Sequence, residues 1–156
     1  MLIDELKNIA RNNGVVGAGG AGFPAYAKMT EKADTVILNC VECEPLLKLH
    51  RQLLATHTEE IIQMLDEVRE SFGAKEAVIG IKSEYVTTIK AIEEVIGDFP
   101  KVRICALRAA YPMGDEVVLI YEATGRVIKP GGLPIDENVV VYNVETMYNL
   151  YRAVHL

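Results

Sequence analysis

The stretch from Gly14 to Pro24 reads Gly-Val-Val-Gly-Ala-Gly-Gly-Ala-Gly-Phe-Pro, which places five glycines within nine residues. Glycine has no Cβ and enters positive φ freely, so such a run lets the backbone approach a ligand closely and turn successive N–H groups toward it. Gly17, Gly19 and Gly22 fit the G-x-G-x-x-G spacing, with Gly20 inside it. That spacing marks a dinucleotide site only after a strand, at the start of a helix, with an acid about 20 residues on. Here the preceding segment has a helical period. The preferred reading is a nonstandard loop whose N–H groups cradle a phosphate or a flat ring. The standard dinucleotide loop and a glycine turn used only for tight packing stay open beside it. Lys28, shortly after the loop, could neutralise a phosphate, or stand as a solvated helix lysine.

Cys40 and Cys43 form a C-x-x-C pair, with His50 and His57 close behind in sequence. A zinc site and a redox dithiol are both compatible with those residue types. Two small side chains packed beside a loop are the simpler account. Cys105 falls in an apolar run and reads as a small core residue.

These residues need elements to position them. Ile3, Leu6, Ile9 and Ala10 recur at helical spacing and stop at Asn12, Asn13 and Gly14. Thr35 to Asn39 reads as a short buried strand and Leu46 to Ala55 as a helix. Thr56 with Glu59 has the spacing of a capping box opening a longer helix that stops at Gly73. Ala77 to Lys82 is a second strand. Ser83 is placed to cap a helix carrying Val86, Ile89, Ile92, Val95 and Ile96 to Gly97. Val102 to Leu107 is a third strand, Val117 to Tyr121 a helix, Gly125 to Pro134 a Gly/Pro loop, and Val139 to Tyr142 a last strand. Asn143 then opens a final helix. Strands alternating with helices imply right-handed crossovers and an α/β fold with a mainly parallel sheet, helices on both faces. Ligands in such sheets sit beyond the carboxyl ends of the strands, where this chain carries Asn39 to Pro45, Lys82 to Glu84 and Asn143 to Thr146.

The chain has 156 residues, half of them hydrophobic and 24% charged, which fits one ordinary domain with a core of its own. A net charge of −6 argues against a general affinity for nucleic acid or anionic lipid, which require a positive surface. No apolar run approaches the roughly 20 residues that span a bilayer. The first residues, Met-Leu-Ile-Asp-Glu, do not have the pattern of a signal peptide. Three cysteines suit a reducing compartment. The expected location is the cytoplasm, including the periphery of a membrane complex, with no direct membrane insertion.

Four motifs taken together carry a family resemblance. They are Gly17 to Pro24 with Lys28; Asn39-Cys-Val-Glu42-Cys-Glu44-Pro45; Tyr111-Pro-Met-Gly114-Asp115-Glu116; and Asn143-Val-Glu-Thr146. In this order they resemble the FMN-binding domain shared by the flavoprotein subunit of NADH:quinone oxidoreductase, the C subunit of Rnf complexes and the cobalamin reductase of propanediol utilisation. The run Gly114 to Arg126, followed by Gly131-Gly-Leu-Pro134, is most similar to the last two branches.

The resemblance implies a Rossmann-like fold with a nonstandard glycine-rich FMN loop. It implies FMN held by Gly17, Gly19, Gly20 and Gly22 with Lys28, Asn39, Glu42, Gly114, Asp115, Glu116, Asn143 and Thr146 around it. Asn39 and Asn143 have donors and acceptors suited to the flavin edge or the ribityl hydroxyls. Thr146 and the start of the last helix offer a hydroxyl and N–H groups for phosphate. Phe23 would cover the nicotinamide of NADH, and Glu44 and Glu116 would favour NADH by repelling a 2′-phosphate. The implied activity is hydride transfer from NADH to FMN, with electrons passed to an iron–sulfur, cobalamin or membrane acceptor. No catalytic acid, base or metal ligand is assigned. The implied partners are NADH and the other domains or subunits of an electron-transfer complex. In the Rnf and cobalamin-reductase proteins a β-rich domain and two 4Fe-4S cluster motifs follow. No C-x-x-C-x-x-C-x-x-x-C run occurs here, so residues 1–156 are expected to be one piece of a longer protein. The alternative is a docking module that keeps the loop without its cofactor.

Overall fold

A computed structural model describes residues 1–17, 23–41, 49–108 and 116–156. Four strands form one all-parallel sheet: β1 (Thr35–Cys40), β2 (Glu76–Lys82), β3 (Val102–Leu107) and β4 (Val139–Asn143). Their spatial order is β3-β2-β1-β4. The chain therefore steps outward from β1 through β2 to β3 and then returns to the far side of β1. That reversal makes the gap between β1 and β4 the topological switch point, where open α/β sheets bind ligands. The α/β expectation holds, and each strand lies within one residue of its expected bounds.

β1 and β2 read as nearly unbroken apolar runs because both faces of the sheet are covered. Val36, Leu38 and Cys40 pack into the larger core with Leu6 and Ala10 of α1 (Ile3–Asn12), Leu54 of α2 (Leu49–Thr56), Ile61, Leu65 and Phe72 of α3 (Thr58–Phe72), Ile92 of α4 (Val86–Ile96) and Met147 and Leu150 of α6 (Val144–His155). Ile37, Val78 and Val141, on the opposite face, pack against Leu119, Ile120 and Ala123 of α5 (Glu116–Thr124). Gly80 is required for that second layer: a Cβ there would collide with the Leu119 side chain.

Two expected helix starts lie elsewhere. Thr56 is the last residue of α2, and α3 begins at Thr58 after the single residue His57. The Thr58 hydroxyl turns back to donate to the Leu54 and Ala55 carbonyls, at 2.7 and 3.0 Å, and so closes α2 while α3 begins. Ser83 caps nothing: its N–H donates to the Leu107 carbonyl at 2.8 Å and prolongs the β2–β3 ladder, so α4 starts only at Val86. The stop at Gly73 is as expected, with φ +70° and its N–H returned to the end of α3.

The amino ends of the strands are fastened by Asp34. Its carboxylate accepts from Arg126 at 2.6 Å, its carbonyl accepts from the Lys75 N–H, and its own N–H donates to Asn138. Arg126 also donates to the Glu137 carbonyl at 2.8 Å. One residue thus joins the approaches to β1, β2 and β4, at the end of the sheet away from the switch point. Among the described residues no helix is long and apolar enough to cross a membrane.

Candidate functional site

Asn39 and Asn143 are register partners at the carboxyl ends of β1 and β4. Each shares the parity of the α5-side residues of its strand, Ile37 and Val41 for the first and Val139 and Val141 for the second, so both amides project to the same face. The side-chain oxygen of Asn39 accepts the Val41 N–H at 2.9 Å, and that of Asn143 accepts the Thr146 N–H at 2.8 Å as the N-cap of α6. With both oxygens engaged, the orientation of each amide is fixed, and its NH2 group lies on the other side from that bond. The switch point thus has two oriented amide donors side by side.

The base of the glycine loop is fastened beside β4. Val16 and Pro24 form an antiparallel bridge, the Gly17 N–H donates to the Phe23 carbonyl at 2.7 Å, and the Ala25 N–H donates to the Val15 carbonyl at 3.0 Å. Two bonds fasten this neck to β4. The buried Tyr142 hydroxyl donates to the Ala25 carbonyl at 3.1 Å, and Lys28, the last residue of the 3-10 turn Ala25–Lys28, donates through Nζ to the Val141 carbonyl at 3.1 Å. Burial pushes the Tyr142 phenol far above its usual range, so it remains a neutral donor. The Lys28 bond also occupies a carbonyl on the outer edge of β4, and an ammonium group has two further protons to offer.

Beside this neck is a cavity of about 400 Å³ whose walls include Phe23, Lys28, Glu116, Leu133, Ile135 and Val141. Phe23 and Lys28, which flank the loop neck, meet Glu116 there, about ninety positions further along the chain. Phe23 is 54% exposed, which leaves its ring uncovered by the protein. Glu116 is the first residue of α5 and brings one carboxylate to an otherwise mostly apolar wall. Asn39, Asn143 and Thr146 are not among the walls of this cavity. Thr146 is 1% exposed and its N–H is held by Asn143, so that N–H serves the helix cap instead of standing open for an anion. Gly19, Gly20, Gly22, Glu42, Glu44, Gly114 and Asp115 lie outside the described residues, as does Cys43.

Cys40 is buried in the larger core, on the face of β1 opposite α5. Cys105 is half-buried, and burial pushes its thiol up against a smaller opposing pull from Arg103. His57 stacks on Tyr148, with ring centroids 4.4 Å apart, and its Nδ1 lies 2.7 Å from Glu60. Among the described residues no group of three or more histidine, cysteine or acidic side chains is arranged to hold a metal ion.

The fold, the switch-point amides and the anchored glycine loop define a class. The chain belongs to the Nuo51 FMN-binding domain family, whose model matches residues 10–152. Within that class it is 41% identical over 149 residues to the cobalamin reductase PduS of Citrobacter freundii, covering 96% of this chain and 33% of that protein. It is 36% identical over 150 residues to the C subunit of the Na+-translocating ferredoxin:NAD+ oxidoreductase complex of Acetobacterium woodii, covering 94% of this chain and 34% of that one. The chain therefore spans about a third of the length of the curated relatives it matches. Its fold is shared by an NAD+-reducing NiFe-hydrogenase crystallised in the H2-reduced state, with a TM-score of 0.75 at 21% identity, over 97% of this chain and 30% of the hydrogenase chain. The expected resemblance, including its two nearer branches, is borne out.

Proposed function

We propose that this domain binds FMN in the crevice at the carboxyl ends of β1 and β4, receives hydride from NADH there, and serves as the electron entry point of a larger redox protein. The observation that carries the reading is the register pairing of Asn39 with Asn143, two oriented amides at the carboxyl ends of β1 and β4, in a chain of the FMN-binding family. When bound, FMN supplies the chemistry, accepting the hydride's electron pair and releasing electrons singly. The protein's part is to bind, orient and exclude water.

In this proposal Gly19, Gly20 and Gly22 bring backbone N–H groups to the cofactor, and Gly17, whose own N–H is held by the Phe23 carbonyl, lets the backbone approach it closely. Lys28 adds positive charge while it ties the loop to β4. Asn39 and Asn143 donate to cofactor oxygens or ring nitrogens, with Glu42, Gly114, Asp115 and Thr146 completing the surround. Phe23 covers the nicotinamide, and Glu44 and Glu116 accept from ribose hydroxyls in a setting that disfavours a 2′-phosphate. The names of the relatives support the redox role, and that of the Acetobacterium woodii complex supports NAD as the nucleotide. The acceptor is an iron–sulfur, cobalamin or membrane-complex partner in the remainder of a longer protein or assembly.

The test is anaerobic addition of NADH to the FMN-loaded domain, followed by flavin absorbance. Bleaching by NADH, and much weaker bleaching by NADPH, is the expected result. An FMN-loaded domain that NADH leaves oxidised would remove the hydride-transfer reading and leave flavin binding alone. A folded chain that takes up no FMN would favour the docking-module alternative.

A further inference from the structure

β4 is an edge strand, paired with β1 on one side and with no other strand among the described residues. Successive residues of a strand turn their main-chain groups to opposite edges, and two contacts fix which way each residue of β4 faces. The Asn138 carbonyl accepts from the Asp34 and Thr35 N–H groups at 2.8 and 3.4 Å, so Asn138, Val140 and Tyr142 face β1. The Val141 carbonyl accepts from Lys28 at 3.1 Å on the other side, so Val139 and Val141 face outward. Val139 is fully covered, whereas Val141 keeps 5% exposure. With its carbonyl taken by Lys28, Val141 has its N–H left, and that donor has no hydrogen-bond partner among the described residues.

A nearly buried main-chain donor is almost always paired, so this one calls for a partner. Val141 is part of the wall of the cavity of about 400 Å³ beside the loop neck, and the partner has to come from there. The carbonyl of the same peptide unit belongs to Val140 and is turned into the β1–β4 ladder. Engagement there polarises the peptide and strengthens its N–H as a donor. Leu133 and Ile135 line the same space and offer apolar surface to a flat ring. Glu116, the proposed acceptor for ribose hydroxyls, is on that wall too, so a ring carried by that ribose sits in the same cavity. An added strand is a poor occupant, because Lys28 already closes the edge at the Val141 carbonyl and one free donor cannot sustain a ladder.

We propose that the Val141 N–H is a main-chain ligand of the dinucleotide, donating to an acceptor in the plane of the ring that enters this cavity. This deepens the NADH reading and rests on it. Both ends of NADH present such an acceptor, adenine in its ring nitrogens and nicotinamide in its carboxamide oxygen. The sheet fixes the direction of the N–H, so the bond orients the ring as well as holding it.

The experiment is amide NMR of the isotope-labelled intact chain, without FMN and again with saturating FMN, on titration with NAD+, AMP and nicotinamide mononucleotide. It is paired with calorimetric NAD+ titrations of the native chain and of Val141→Pro. Proline deletes this N–H alone, and because the group faces away from β1 the ladder bonds of Val140 and Tyr142 are untouched. NAD+ should move the Val141 amide, and one mononucleotide should move it as well: AMP if the ring is adenine, nicotinamide mononucleotide if it is the carboxamide. Val141→Pro should bind NAD+ roughly tenfold or more weakly. The inference is overturned if NAD+ binds and leaves the Val141 amide unmoved, if neither mononucleotide moves it, or if the folded variant binds NAD+ as tightly as the native chain. Any of these leaves the NADH reading standing, whereas a chain that binds no NAD+ under either condition ends both. A chain engaged at Val141 by either mononucleotide, but whose flavin NADH leaves oxidised, keeps the ring site and loses hydride transfer. Should Val141→Pro fold poorly, the shifts in the native chain decide.

Discussion

Replacing Asn143 with alanine removes the acceptor of the Thr146 N–H, and that N–H belongs to a residue with almost no solvent access. Loss of an N-cap side chain costs about 0.5–2 kcal/mol, and a buried orphan donor puts this site in the upper half of that range. For a domain of this size each kcal/mol lowers Tm by roughly 2–4 °C, so Asn143→Ala is expected to melt about 2–8 °C lower. Asn143→Asp separates the two roles of the side chain. A carboxylate oxygen restores the cap at a helix N-terminus, where negative charge is favourable, but the NH2 donor proposed to face FMN is gone. Thermal melts followed by circular dichroism, paired with FMN fluorescence titrations, read both roles. Asn143→Asp should recover most of the lost Tm while binding FMN at least about tenfold more weakly than the native chain. If Asn143→Asp melts as low as Asn143→Ala, the cap account is wrong. If it binds FMN as the native chain does, the amide is not a ligand group.

Three further outcomes are expected. Gly80→Ala drives a methyl into the buried Leu119 side chain and should cost about 1–3 kcal/mol in urea denaturation, with a less than additive effect when Leu119 is also shortened to alanine. Tyr142→Phe deletes the bond from β4 to Ala25, and should cost about 0.5–1.5 kcal/mol. It should also weaken FMN binding, because the loop neck loses one of its two anchors to the sheet; an unchanged FMN titration would show that Lys28 alone suffices. Burial raises the Asp34 carboxyl, but hydrogen bonds from Arg126 and Thr35 and the charges of Arg126 and Lys75 outweigh it and hold it below its ordinary value. Its contribution to stability is therefore present above the unfolded pKa of about 4 and lost as pH falls through the lower folded value. The stability advantage of the native chain over Arg126→Gln should shrink below about pH 4 in denaturation series.

The strands were legible because Thr35–Cys40 and Val139–Asn143 are compact, β-branched-rich runs, and a parallel sheet buried on both faces selects for such runs. Asn39 and Asn143 were legible as strand-end residues, but their adjacency was not, since it depends on β4 returning beside β1 instead of extending the sheet past β3. Helix starts were less legible. Thr56–Glu59 has capping-box spacing, yet Thr58 is the hydroxyl that ends one helix as the next begins. The bonds that place the site, Lys28 to Val141 and Tyr142 to Ala25, each join residues more than a hundred positions apart, and no local pattern encodes them.

The most direct test is an FMN titration of the isotope-labelled chain followed by amide NMR. Saturable binding with the largest shifts at Gly17, Asn39, Val41, Asn143 and Thr146, and little change along β3, is the predicted result. A folded chain that shows no saturable shifts, or whose shifts centre on β3 and leave Asn39 and Asn143 unmoved, would contradict a flavin site at the β1–β4 switch point.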